Sequence, residues 1–144
     1  MPQSVDRRAL ILALALAPLT LAAQAVSAAD ARAVREVVEA QLKALAVDDA
    51  VRAFSYASPA IRTQFGDAAN FMAMVLSGYP MVLRPAATAF FQPAAIDGAV
   101  LQVLQLRDRA GKAWLATYTL QRQPDGRWRI NGCAVRPDNG KSST

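Results

Sequence analysis

Histidine is absent from the whole 144-residue chain. Without imidazole, Ser-His-Asp and Cys-His catalysis are excluded, and so is every metal site that depends on that ligand. Cysteine is nearly absent as well. Cys133 is the single one, so no internal disulfide can form even in an oxidising compartment, and a buried strand thiol is the expected state. Glycine-rich phosphate loops and the ligand spacing of a zinc or calcium site are missing. The expectation is therefore of no metal, no nucleotide and no cofactor. Acidic residues are in the minority, 11 against 16 Lys and Arg for a net charge of +5. The positive charge is too evenly spread for a nucleic-acid footprint.

What the chain has in excess is apolar residues, 53% of the total, and much of that excess lies at the start. Arg7 and Arg8 precede an apolar run from Ala9 to Ala23, and small residues follow through Val26, Ser27, Ala28 and Ala29. These are the three parts of an export signal, with cleavage expected after Ala28 or Ala29. The run is short for a membrane span and is broken by Pro18, which favours a removed signal over a retained anchor. Arg7-Arg8-Ala9-Leu10-Ile11 also resembles a twin-arginine signal, although Asp6 departs from that pattern. Residues 1–28 are thus read as a signal peptide, 30–136 as one soluble domain and 137–144 as a polar tail. The expected location is the periplasm. Cys133 lies too far from the start to serve as a lipoprotein anchor, so no membrane attachment is expected after cleavage.

Within the domain, helical periodicity comes first. Asp30 is a candidate cap for a helix to about Val47, with Val34, Val37, Val38, Leu42 and Leu45 on one face. Gln41 falls inside that apolar stripe. Asp48 and Asp49 are placed to cap a short helix through Phe54; Ser58-Pro59 starts another that Gly66 ends. Asp67 caps a third, Ala68 to Ser77, whose apolar residues cover most of its circumference and predict deep burial. From Met81 the period becomes strand-like, at Met81 to Leu83, Thr88 to Gln92, Ala99 to Arg107, Ala113 to Arg122 and Arg127 to Cys133. Turn signals at Gly111 and at Pro124-Asp125-Gly126 join the last three as an antiparallel meander. The fold class expected is α+β, with N-terminal helices packed on the concave face of a curved antiparallel sheet.

Three stretches carry a resemblance: Val34 to Leu42, Phe54 to Arg62 and Gly78 to Pro85. Trp114 to Tyr118 and Trp128 to Cys133 fit it too. Together they resemble a family of small exported bacterial proteins known only as a domain of unknown function. The resemblance implies a cone-shaped fold similar to nuclear transport factor 2 and ketosteroid isomerase. It implies no activity, because that fold hosts enzymes, binders and scaffolds alike.

The residues themselves suggest where a pocket would lie. Tyr56, Tyr79 and Tyr118 each combine an apolar body with a polar tip. Gln41 must be satisfied by a backbone group, a water or a ligand. Arg84, between apolar residues and Pro85, is a candidate clamp for a carboxylate at a pocket mouth. The carboxylates are less promising. Asp30, Asp48, Asp49 and Asp67 have capping positions, Asp97, Asp108 and Asp125 lie in turns, Asp138 is in the tail, and Glu36 and Glu39 face solvent. The leading expectation is a non-enzymatic domain that binds a small apolar or carboxylate-bearing ligand, or a protein partner. One alternative is a cofactor-free isomerase or hydratase of the ketosteroid-isomerase type, which requires a carboxylate at the pocket. Another is an interaction module that forms a homodimer through its outer sheet face, which requires a filled interior. Arg122, Arg127, Arg129 and Arg136 are expected to share a basic outer face.

Overall fold

Five tight starts and stops define the helical half. Ser27 accepts a hydrogen bond from the Asp30 backbone N–H at 3.1 Å and opens α1, Ala28–Ala46. Asp49 caps α2, Ala50–Ser55, and Ser58 caps α3, Pro59–Phe65, with proline in its first turn. Asp67 caps α4, Ala68–Gly78, through the Asn70 backbone N–H at 2.8 Å. Each cap satisfies a donor that the helix start leaves free. Gly66 ends α3 at φ 82°, a conformation that costs glycine nothing. The computed structural model describes residues 25–140. The expected signal peptide lies largely outside them, as does the end of the tail.

Asp30 is thus not the cap of α1. The helix starts earlier, at Ala28, and leaves the Asp30 carboxylate free to pair with Arg122 on the sheet. A second expectation also fails: Met81 to Leu83 is no strand. Pro80 lacks an N–H and has a fixed φ, and the chain winds into a 3-10 turn, Pro80–Val82. Val82 and Leu83 donate to the carbonyls three residues back, at 3.1 and 3.2 Å.

The second half is a curved, open antiparallel sheet of five strands: β1 (Ala87–Phe90), β2 (Ala94–Ile96), β3 (Ala99–Arg107), β4 (Ala113–Arg122) and β5 (Trp128–Pro137). The order is β1-β3-β4-β5, with β2 sharing the edge of β3 that β1 uses. Buried Gln102 holds the β1–β2 connection by donating to the Phe91 carbonyl at 2.8 Å. The fold is therefore α+β, with helices first and sheet afterward, as the periodicity implies. β5 runs past the expected end at Cys133, and Asp138 still donates its backbone N–H to Ala113 at 2.9 Å.

The core forms where one face of α1 meets one face of the sheet. Val34, Val38, Leu42 and Leu45 from α1 are buried with Leu104, Leu106, Ala116, Tyr118 and Leu120. Each such Val or Leu contributes roughly 1.5–3 kcal/mol by leaving water. α4 buries only Phe71, Met72 and Val75, while Leu76 is more than half exposed. Its apolar circumference predicts more burial than a helix on the outside of the layer receives.

Candidate functional site

Two local irregularities shape the interior. The first joins the α2–α3 link to β5: Ser58 N–H donates to the Ile130 carbonyl, and Ile130 N–H to the Tyr56 carbonyl, both at 2.8 Å. The second is a β-bulge. Thr119 pairs with Gly132 but Leu120 with Ile130, so Asn131 is the extra residue. Its side-chain oxygen accepts a hydrogen bond from the Ser58 hydroxyl at 2.8 Å. The bulge also resets the alternation of β5. Trp128 and Ile130 face the helices before it; after it, Cys133 and Val135 do, opposite Tyr118 and Ala116.

Between α1, α3, α4 and this part of the sheet lies a cavity of about 430 Å³, within the range of small-molecule sites. Leu45, Ile61, Phe65, Phe71, Met74, Val75 and Ile130 give it a mainly apolar wall. Three residues singled out from the sequence meet there: Gln41 and Tyr118, both buried, and Tyr79, half-buried. Gln64, which is exposed, and Cys133 join them. Gln41 donates from Nε2 to the Ala53 carbonyl at 3.2 Å, which ties α1 to α2.

Tyr118 and Cys133 are cross-strand partners in this interior. Burial raises the Tyr118 phenol well above its ordinary value, and the neighbouring Cys133 adds to the effect. Burial likewise pushes the Cys133 thiol up to about 12, against the opposing influence of its hydrogen bond with Tyr118. Both groups are neutral at physiological pH.

The other two expected pocket residues lie elsewhere. Tyr56 borders a separate shallow depression with Glu36, Val37, Trp128 and Arg129, because the backbone pairing at Ile130 fixes it on the other side of the link. Arg84 is exposed; its Nε donates to the Ala46 carbonyl and its Nη2 to Asp48 Oδ2, both at 2.9 Å. It thereby satisfies the C-terminal end of α1 and is not among the residues that line the cavity.

Among the described residues, no carboxylate lines the cavity. Asp49 and Asp67 cap helices, Asp48 holds Arg84, and Asp30 holds Arg122. Asp108 accepts from the Trp114 indole at 3.1 Å and the Lys112 backbone, and Asp138 from Gln105 at 2.8 Å. Glu39 pairs with Arg35 on α1. Nor do the four sheet arginines share a face. Arg122 turns to α1 and lies over the Trp128 ring, 5.0 Å from its centroid, whereas Arg136 pairs with Leu115 on the opposite side. Among the described residues, no group of three or more acids or cysteines could hold a metal ion, and no helix is long and apolar enough to cross a membrane.

The sequence family described as Domain of unknown function (DUF4864) matches residues 27–143, most of the chain, and the chain belongs to it. No curated protein and no solved structure matches the chain.

Proposed function

We propose that this DUF4864 member is an exported, non-enzymatic binding domain that holds one small, mostly apolar molecule between its helices and its sheet. The observation that carries the reading is the cavity of about 430 Å³, with apolar walls and a few polar atoms. Open apolar space forgoes dispersion contacts, and a ligand of fitting shape restores them. A cone similar to nuclear transport factor 2, which the sequence resemblance implies, would suit this reading, since helices over one face of a curved sheet leave room inside. Arg7, Arg8, the apolar run after them and the small residues around Ala28 support export, with the periplasm as the working compartment.

An isomerase of the ketosteroid type needs a carboxylate base within hydrogen-bond reach of its substrate. Among the described residues the cavity lining contains none, which favours binding over that chemistry. An interaction module without a ligand needs a filled interior, and the open one favours a ligand. Arg84 is engaged with Asp48 and Ala46 and stands outside the cavity lining, which favours an apolar ligand over a carboxylate-bearing one.

Native mass spectrometry of the full chain, exported and purified from the periplasm, tests the proposal. A single added mass of small-molecule size, released on denaturation, is expected. A chain that emerges empty and also takes up no neutral apolar dye contradicts it.

A further inference from the structure

We infer that the ligand is an uncharged molecule that presents an O–H or N–H donor to Gln41, and that carboxylates are refused. This rests on the binding reading above and names the chemical class of its ligand.

Gln41 is 4% exposed and lines the cavity. Its amide meets the Ala53 carbonyl at 3.2 Å. A carbonyl has no proton to give, so the NH2 half must face it, and Oε1 is turned the other way. Among the described residues nothing donates to Oε1. Yet among the described residues no side-chain oxygen or nitrogen is sealed from the surface without a partner. The oxygen therefore keeps its small exposure toward the space that Gln41 lines. An acceptor in apolar surroundings is costly to leave unmatched, and a ligand donor satisfies it.

Tyr118, 2% exposed, lines the same cavity from the facing sheet. It stands opposite Cys133 in the sheet register, and both side chains line the cavity. The buried polar atom left unmatched on the helical wall is an acceptor. A carboxylate would set negative charge against that oxygen with no cation to offset its desolvation. Among the described residues, no Lys or Arg lines the cavity. Arg62, on neighbouring α3, lies over the Phe54 ring, 5.7 Å from its centroid.

Three naphthalenes of one skeleton separate the possibilities near neutral pH. 2-Naphthol donates a hydrogen bond, 2-methoxynaphthalene cannot, and 2-naphthoate carries a charge. Titrated into the full chain, the naphthol is expected to bind about tenfold more tightly than the ether, and the naphthoate not to saturate. Gln41→Met keeps the bulk but removes the acceptor, along with the Nε2–H that reaches the Ala53 carbonyl, so it should erase the naphthol's advantage over the ether. Equal affinity of naphthol and ether, or tight naphthoate binding, overturns the donor inference while the apolar site stands. Failure of all three to bind overturns the binding reading itself. Should Gln41→Met not fold, the comparison within the wild-type protein decides alone.

Discussion

Tyr118 on β4 and Cys133 on β5 stand opposite one another in the sheet register, and both face the cavity beneath the helices. Their closeness depends on the bulge at Asn131, without which the alternation along β5 would turn Cys133 outward.

The thiol is expected to be inert in the folded protein. Because its proton is held to about 12, almost no thiolate forms at mildly alkaline pH, and the thiolate is the reactive species. Iodoacetamide labelling followed by mass spectrometry should run at least ~100-fold slower in native protein than in urea. Equal rates would show the thiol outside the interior.

The same pair sets an alkaline limit on stability. Unfolded Cys133 ionises near its ordinary 9.0, whereas the folded thiol keeps its proton to about 12. Tyr118 is displaced in the same direction. A raised folded value stabilises below the unfolded value and is lost as pH climbs toward the folded one. Urea midpoints are therefore expected to fall as pH rises from 9, and Cys133→Ser should make the fall shallower.

Acid acts through other groups. Hydrogen bonds from the Trp114 indole and the Lys112 backbone hold Asp108 below the ordinary carboxylate value, and one from Gln105 does so for Asp138. A lowered folded value stabilises above the unfolded value of 3.8 and is lost as pH falls through the folded one. Thermal melts below 3.8 should show this loss, reduced in Asp108→Asn.

Ser58 connects the helical half to the bulge. Buried, it accepts from the Ile61 backbone N–H at 3.3 Å and donates to Asn131 at 2.8 Å. Ser58→Ala removes a helix cap and strips Asn131 of its donor, and should cost about 2–3 kcal/mol in urea unfolding. Ser58→Thr, which keeps the hydroxyl, should cost much less.

Arg84→Ala is expected to leave ligand binding unchanged and to cost at most about 1 kcal/mol, since its partner Asp48 is exposed with it. A loss of binding in that variant would return Arg84 to the site.

Much of this architecture is legible in local chemistry. The caps at Asp49, Ser58 and Asp67, the turn glycines and the strict alternation of β3 and β4 place most elements close to their true bounds. Gln41 is legible as a polar residue on an apolar stripe. Hidden from the sequence are features that depend on distant partners. Tyr56 resembles Tyr79 in type, but a backbone bridge to Ile130 turns it to a different surface. The reset of β5 leaves only Gly132 as a hint, and Cys133 enters the cavity because of it. Arg84 is positioned by the end of α1, 38 residues earlier, a relationship no local pattern encodes.

The central claim is that the space beneath the helices takes up a small molecule. Fluorescence titration of the full chain with the neutral probe N-phenyl-1-naphthylamine tests it most directly, alongside Ile61→Trp, which places an indole in the cavity from its half-buried wall. Saturable binding of one probe per chain is expected in the wild type, weakened at least ~10-fold in a variant with unchanged circular dichroism. No saturable binding in the wild type, or equal binding in the two proteins, would contradict the account.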